Sequence, residues 1–277
     1  MYFPELNNKL TADALIFFLK TEFARSGFNK AVLGLSGGLD SALVATLAAK
    51  ALGPENVYGL LLPYQSSAKN SIDDAMKVVE KTGINHHLLE ITDAVHALEK
   101  NCMVDPEKSK KGRLGNMMAR LRMITIFDFS FKEGAVVLGT SNKSEIALGY
   151  ATLFGDIASA INPIGDLYKT WIFELSRYLE IPESVINKAP SADLWEGQTD
   201  EGEIGFAYRE LDPVLYQLIE KRRKKEELYE KGFNKELVDF AASRLMKMHF
   251  KRKIPIIAKI TPRTFGTDFL YAKDIFT

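Results

Sequence analysis

Residues 36–41 read Ser-Gly-Gly-Leu-Asp-Ser and directly follow the apolar run 31–35. Two adjacent glycines let the backbone bend so that several N–H groups point at one anion. A helix that begins near Asp40 would add the positive end of its dipole, and the hydroxyls of Ser36 and Ser41 can bind phosphate oxygens. Because a carboxylate beside a phosphate needs a cation between them, Asp40 indicates Mg²⁺. The segment therefore predicts a strand, a pyrophosphate-binding loop and a helix.

This loop differs from the commoner phosphate-binding loop because no Gly-Lys-Ser/Thr follows its glycines, which disfavours transfer of a γ-phosphate. It resembles the loop of the ATP pyrophosphatases, which cleave ATP between the α- and β-phosphates and attach AMP to a substrate. The alternative is a glycine-rich turn without a ligand. The complete pattern between a predicted strand and a predicted helix disfavours that alternative.

The composition excludes several classes of protein. Of 277 residues, 46% are hydrophobic, and Lys+Arg and Asp+Glu each number 36, which gives zero net charge. Zero net charge argues against a nucleic-acid partner or an anionic membrane surface, and no apolar run has membrane-spanning length. The single cysteine, Cys102, excludes an internal disulfide and a thiolate metal cluster and fits a reducing compartment. We expect a cytoplasmic protein with one domain over residues 1–277.

Strands and helices are predicted to alternate through the first 140 residues. The strands are expected at 30–35, 57–62, 87–91 and 135–139. This alternation predicts an α/β fold, a parallel sheet with helices on both faces, whose loops after the strands meet at one edge. The polar stretch 104–113 interrupts the pattern and is interpreted as a mobile loop.

Beyond residue 140 the sequence predicts a helical C-terminal part. One helix is expected to start at Asp166. A second is expected to start with Asp212 as its cap and Pro213 at its first position, and to run to Gly232. The last helix is expected to start at Asn234.

Polar segments on two of the predicted helices are candidates for binding anions. Asn116 and Arg120 lie four residues apart on one helix face, where Arg can grip a phosphate or carboxylate and Asn can read a ribose or base edge. Lys169 opens a helix, a position that the dipole disfavours for a cation, which suggests an anion nearby. Exposed basic side chains are the alternative for both.

Two further polar segments are predicted to lie in loops. Glu145 follows the fourth strand and could share a cation with Asp40, although the segment also reads as a capping turn with Ser141 as the cap. Residues 188–201 are irregular and acidic. They are either a surface loop or a lid that brings Ser191 toward phosphate.

The order and spacing of these segments resemble those of the ammonia-dependent NAD synthetases over nearly the whole chain. The resemblance rests on the motifs SGGLDS, GNMMARLRM, VLGTSNKSE, GD…NPIGDLYK, KAPSADLWEGQTDE and IGFAY. It implies an adenine-nucleotide hydrolase-like parallel sheet with helices and a homodimer with substrate sites near its interface. It also implies ATP and ammonia as substrates, with Mg²⁺, in the amidation of deamido-NAD through an acyl-adenylate.

The resemblance implies a role for each matching residue. The ATP phosphates would be held by Ser36, Gly37, Gly38 and Ser41, assisted by Thr140, Lys169 and Ser191. Asp40 and Glu145 would hold Mg²⁺ and, with Lys169, form the catalytic set. Deamido-NAD would be contacted by Asn116, Arg120 and Asp156.

Three positions depart from the family pattern, and all belong to dinucleotide recognition. Leu153 stands where the family often has lysine, and Ala160 stands where it often has aspartate. A basic pair near the C-terminus is altered and appears here as Phe250-Lys251-Arg252. The implied ATP contacts are therefore better supported than the implied dinucleotide contacts.

Two other functions use the same loop. One is adenylation of a tRNA base or of another carboxylate. The zero net charge disfavours tRNA as the substrate. A nucleotide sensor without catalysis is disfavoured by the complete set of Asp40, Glu145 and Lys169. Only about thirty residues precede the synthetase pattern, too few for an amidase domain, so free ammonia is the expected nitrogen donor.

Overall fold

The computed structural model of the protein describes residues 3–65, 69–101, 110–191, 194–195, 197–252 and 255–264. Most of the segment that was predicted to be a mobile loop lies outside these residues. Its last residues, 110–113, belong to a long helix.

A parallel sheet of four strands forms the centre of the fold. The strands are β1 (Lys30–Gly34), β2 (Val57–Leu61), β3 (Asn85–Leu88) and β4 (Ala135–Val137), in the spatial order β3-β2-β1-β4. The chain builds outward from β1 through β2 to β3 and then returns to place β4 on the other side of β1. The strand order thus reverses between β1 and β4, which is where parallel α/β sheets bind ligands.

Helices cover both faces of this sheet, as the sequence predicts. In β1, Ala31 and Leu33 pack into one apolar core, and Val32 between them packs into a second core. Successive side chains of a strand point to opposite faces, so a strand buried on both sides is apolar throughout. The α/β fold class is confirmed.

Twelve α-helices lie within the described part of the chain. They are α1 (Asn8–Ser26), α2 (Leu39–Leu52), α3 (Lys69–Thr82), α4 (Thr92–Asn101), α5 (Lys110–Glu133), α6 (Lys143–Leu148), α7 (Lys169–Tyr178), α8 (Glu183–Ile186), α9 (Asp200–Ile204), α10 (Tyr208–Ile219), α11 (Lys225–Glu230) and α12 (Lys235–Lys247). None of them is long and apolar enough to cross a membrane. The prediction of a single domain stays a prediction.

The third strand is displaced from its predicted position at 87–91. It begins at Asn85 and ends at Leu88, and all four of its residues are exposed. A strand at the edge of a sheet is held by backbone pairing with one neighbour, here β2. The side chains of such a strand need not be apolar. The prediction followed the apolar run at 87–91 and therefore placed the strand too late in the sequence.

The prediction for the helices after residue 165 is wrong in three bounds. Helix α7 begins at Lys169 and not at Asp166. Helix α10 begins at Tyr208, so Pro213 lies inside it, because buried residues on both sides of the proline keep the chain helical. The chain leaves α10 after Ile219, and Arg222 has a φ of 51°, which separates α10 from α11. The last helix begins at Lys235 with Asn234 as its cap, within one residue of the predicted start.

Candidate active site

A cavity of about 280 Å³ lies at the carboxyl edge of the sheet, beside the loops that follow β1 and β4. The predicted residues that line it are Ser36, Gly38, Asp40, Ser41, Thr140, Glu145, Asp156, Lys169 and Ser191. They come from segments up to 155 residues apart in sequence, from 36 to 191. The fold thus places the phosphate loop and the three candidate catalytic residues around one space.

The phosphate loop is held in shape by its own hydroxyl groups. The hydroxyls of Ser36 and Ser41 lie 3.1 Å apart, and the Oγ of Ser41 donates to the carbonyl of Gly38 at 3.0 Å. Helix α2 begins directly after Gly38, which supplies no side-chain cap. The first N–H groups of α2 are therefore directed into the loop, an arrangement that suits an anion.

Gly37 does not line the cavity, but the loop cannot form without it. Its φ is +73°, and a Cβ at this position would lie 2.1 Å from the carbonyl oxygen of Ser71 in α3. Both the left-handed backbone and the close approach of α3 exclude a side chain. Gly37 therefore determines the conformation of the loop that is predicted to bind phosphate.

Asn142 connects the loop after β4 with the loop after β1. It is the cap of α6: the Oδ1 of Asn142 accepts from the N–H of Glu145 at 2.9 Å, and the Glu145 carboxylate accepts from the backbone N–H of Asn142 at 3.3 Å. Its Nδ2 donates to Asp40 at 2.9 Å. The predicted cap, Ser141, is thus one residue too early, and the true cap also fixes the orientation of Asp40.

Lys169 forms ion pairs with both predicted metal ligands. Its Nζ contacts the carboxylate of Asp40 and lies 3.6 Å from Oε1 of Glu145. The lysine is 2% exposed. The sequence predicted an anion near Lys169 because this lysine starts a helix. In the structure that anion is a pair of protein carboxylates. These carboxylates and the adjoining cavity offset the unfavourable dipole.

Negative charge exceeds positive charge in this cluster, because the buried Asp200 of α9 adds a third carboxylate. Burial and the charge of Asp40 raise the pKa of Glu145 to about 8. Burial also raises the pKa of Asp200 to about 6. For Lys169, burial lowers the pKa, but the charges of Asp40 and Glu145 outweigh it and raise the pKa above its usual range.

The donor set fits the Mg²⁺ that the resemblance implies. Asp40 and Glu145 supply carboxylate oxygens, the ligand type that Mg²⁺ prefers, and both line the cavity next to the phosphate loop. After burial, the charge of Asp40 is the next cause of the raised pKa of Glu145, so a cation between the two carboxylates would relieve their repulsion. No group of three or more acidic, histidine or cysteine side chains forms a metal site on its own within the described residues. Phosphate oxygens and water would complete the coordination.

Two predicted dinucleotide contacts do not line the cavity. Asn116 accepts a hydrogen bond from the Thr152 hydroxyl at 2.7 Å, and Arg120 donates to the carbonyl of Leu153 at 3.3 Å. Both residues lie on one face of α5, as predicted, and that face holds the segment 152–156. Asp156 of this segment does line the cavity, and its Oδ1 accepts from the N–H of Thr152 at 2.6 Å.

The structure adds three charged residues that the prediction did not assign. Arg122 and Lys188 line the cavity together with Asp200. Lys188 donates to the Ser71 hydroxyl at 2.8 Å, close to where α3 meets the phosphate loop. All three belong to motifs that carry the family resemblance, so the sequence contained a reason to select them. Sequence alone does not show which charged side chains of a motif face the cavity.

The departing positions lie around the segment that α5 holds. Leu153 gives its carbonyl to Arg120, and Lys251 donates to the carbonyls of Gly149 and Ala151 at 2.9 and 2.6 Å. Phe250 is 40% exposed, and Ala160 is exposed. The altered basic pair therefore ties the C-terminal part of the chain to the loop that follows α6.

The sequence of the chain matches the family described as NAD synthase over residues 11–255. The chain belongs to the NAD synthase family. It is 54% identical over 256 residues to the NH(3)-dependent NAD(+) synthetase of Fusobacterium nucleatum, which covers 92% of this chain and 98% of the relative. It is 48% identical over 269 residues to the enzyme of the same name from Chlorobium phaeobacteroides, with 97% and 96% covered.

Solved structures of this family share the fold. An NH3-dependent NAD synthetase from Campylobacter jejuni matches with a TM-score of 0.77 and 35% identity, covering 92% of this chain and all of the other. An NMN synthetase from Francisella tularensis matches with a TM-score of 0.81 and 30% identity over the same shares. The resemblance to NAD synthetases inferred from the motifs is confirmed.

Proposed function

We propose that this chain is an ammonia-dependent NAD synthetase that amidates deamido-NAD in two steps. ATP first transfers AMP to the nicotinate carboxylate and releases pyrophosphate. Ammonia then attacks the acyl-adenylate, and AMP leaves. The observation that carries the proposal is the convergence of the loop 36–41 with Asp40, Glu145 and Lys169 on one cavity, in a chain of this family.

The first step requires alignment and charge neutralisation. The hydroxyls of Ser36 and Ser41 and the N-terminus of α2 bind the phosphates of ATP, with Thr140 and Ser191 on the opposite loops. Lys169 neutralises the charge that grows on the departing pyrophosphate. Asp40 and Glu145 would hold Mg²⁺, which supplies further positive charge to the phosphates when it is bound.

The second step needs no nucleophilic side chain. A carboxylate is a poor acyl donor because its leaving group would be oxide, whereas AMP leaves readily from the adenylate. The lone pair of ammonia attacks the carbonyl carbon, the bond to AMP breaks, and the surplus proton passes to a base. The carboxylate of Asp200 lines the cavity and is a candidate for that base.

Recognition of deamido-NAD is assigned to the far side of the cavity. Asp156 lines it directly, and Asn116 and Arg120 remain proposed contacts. Their hydrogen bonds to residues 152 and 153 give both a second role, which is to shape the segment that presents Asp156.

A homodimer through α5 is the proposed assembly. Ile124, Phe127 and Phe131 lie on one face of α5 and are 55%, 40% and 93% exposed. Phe127 also lines the cavity, so a second copy on this face would lie next to the substrate site. An apolar face of this kind is typical of an interface between subunits. The cytoplasmic location remains a prediction from the sequence.

Release of pyrophosphate from ATP tests the function against its alternatives. The assay compares deamido-NAD, nicotinate mononucleotide, bulk tRNA and no acceptor, each with ammonia. The proposal expects rapid release only with deamido-NAD, and NAD as the product. Preference for nicotinate mononucleotide would assign the activity named for the Francisella neighbour, release with tRNA would indicate base adenylation, and binding of ATP without release would indicate a sensor.

A further inference from the structure

A fully buried carboxylate lies behind the active site, where helices α6, α7 and α10 meet. Asp212 of α10 is 0% exposed. Its Oδ1 accepts from the Ser144 hydroxyl at 2.6 Å, and its Oδ2 accepts from the N–H and the hydroxyl of Thr170 at 2.8 and 2.9 Å. Both oxygens thus accept hydrogen bonds, and both partners are sequence neighbours of candidate active-site residues.

The hydrogen bonds continue from Ser144 to the backbone of Lys169. The Oγ of Ser144 donates to Asp212 and accepts from the N–H of Lys169 at 2.9 Å. Helix α7 begins at Lys169, and the residue before it, Tyr168, supplies no side-chain cap. The first two N–H groups of α7 are therefore satisfied by groups from α6 and α10.

A carboxylate is well suited to this place. The N-terminus of a helix has a partial positive charge, which an anion offsets and a lysine does not. The charge of Asp212 offsets the unfavourable interaction between the helix dipole and the Lys169 ammonium at the first position of α7. Burial raises the pKa of Asp212 to about 6, whereas the hydroxyl of Ser144 and the N–H and hydroxyl of Thr170 all donate to Asp212, which favours its ionised form.

We propose that Asp212 is a positioning residue that fixes the first turn of α7 and thereby aims Lys169 at Asp40, Glu145 and the phosphate site. It does not line the cavity and touches no substrate. The inference rests on the proposed function for its effect on rate, and on geometry alone for its effect on the position of Lys169.

The first test is Asp212→Asn, assayed by pyrophosphate release. The amide keeps an acceptor for Ser144 but turns a donor toward the N–H of Thr170, so the first turn of α7 must shift. Because small misplacements can cost about 100-fold in rate, we expect kcat to fall by about 10- to 100-fold. Leu228→Ala is the control, because Leu228 is a fully buried core residue of α11 that does not line the cavity. It should lower the melting temperature but leave kcat within about twofold.

A double-mutant cycle with Lys169→Ala separates positioning from general destabilisation. If Asp212 acts through Lys169, Asp212→Asn should lower kcat by less than about threefold in the Lys169→Ala background, while its effect on the melting temperature persists. Ser144→Ala serves if Asp212→Asn does not fold. Loss of the bridging hydroxyl, which donates to Asp212 and accepts from the N–H of Lys169, should lower kcat by about fivefold.

Crystal structures of the wild type and Asp212→Asn test the geometry whether or not the proposed function holds. We expect the Lys169 ammonium to move away from Asp40 and Glu145 in the variant. An unmoved Lys169, a wild-type kcat in a folded Asp212→Asn, or an equal loss of rate in both backgrounds would overturn the inference. A wild type that forms no NAD would refute the proposed function instead.

Discussion

Lys169 is the residue whose chemistry links the sequence most directly to the site. Its position at the start of a helix is unfavourable, and this predicted a nearby anion. The structure supplies two carboxylates, Asp40 and Glu145, from the first turns of α2 and α6, 105 residues apart. The approach of Asp40 to Glu145 could be predicted because parallel strands bring the segments that follow them to one edge, whereas the pairing of Lys169 with these two carboxylates could not.

The side chains around this trio could not be predicted to the same degree. Asn142 orients Asp40, and Asp200 adds a third buried carboxylate. Whether a polar residue of a loop faces the cavity depends on backbone geometry over several residues. A motif fixes which residues occur, but not the direction of each side chain.

Asp40→Asn tests the metal and charge assignment at the residue scale. We expect kcat to fall by about 100-fold or more, because an amide holds Mg²⁺ poorly and no longer pairs with Lys169. The fold should survive because Lys169 keeps its ion pair with Glu145. The loss in free energy of unfolding should therefore be smaller than the roughly 3–5 kcal/mol that is typical when a buried charge loses its partner. The measurements are kcat against Mg²⁺ concentration and the free energy of unfolding.

Glu145→Gln should behave in the same way, and the double variant should be much less than additive because both carboxylates act on one ion. Full activity of Asp40→Asn at ordinary Mg²⁺ would remove Asp40 from the metal site.

At the scale of elements, the strands that lie inside the sheet were the most predictable. β1 and β2 are apolar on both faces, and the structure places them within one residue of the predicted bounds. β3 is an edge strand with exposed residues, and so its sequence has no such signal. Pro213 misled the prediction of α10, because buried residues such as Leu211 and Val214 stabilise the helix across the proline.

The tight packing of the phosphate loop on α3 makes Gly37→Ala a test at the element scale. The left-handed φ alone costs about 1–2 kcal/mol for a residue with a Cβ. The overlap with the Ser71 carbonyl, at 2.1 Å, forces the loop or α3 to move. We expect a lower melting temperature and loss of ATP binding by calorimetry.

Gly27→Ala is the matched control, because Gly27 has a φ of +74° and nothing lies within 4 Å of a Cβ there. It should show the backbone cost without loss of ATP affinity. Equal ATP affinity in Gly37→Ala and the wild type would contradict the proposed geometry of the loop.

At the scale of the whole molecule, the cavity lies where the strand order reverses between β1 and β4, and the proposed function brings ATP and a second substrate together there. The fold class and this edge followed from the alternation of strands and helices. The packing of α5 on the segment 152–156 did not, because no periodic pattern specifies which loop a helix face will hold.

Free ammonia as the nitrogen donor predicts a characteristic pH dependence. At a fixed, subsaturating total ammonium concentration, the rate should rise about tenfold per pH unit below the pKa of ammonium, since only the free amine has a lone pair. Holding free ammonia constant while pH varies is the control and should remove this tenfold slope. Cys102, which lies outside the described residues, should be dispensable, and Cys102→Ser should keep full activity. If the wild type formed NAD from glutamine and Cys102→Ser did not, the prediction would be refuted.

The acyl-adenylate is the central chemical claim, and oxygen transfer tests it most directly. Deamido-NAD with both nicotinate carboxylate oxygens labelled as ¹⁸O is converted with ATP and ammonia, and the products are analysed by mass spectrometry. If the carboxylate attacks the α-phosphorus, AMP acquires one labelled oxygen, the carboxamide of NAD keeps the other, and pyrophosphate has none. Label in pyrophosphate or inorganic phosphate, or unlabelled AMP together with labelled water, would contradict the account.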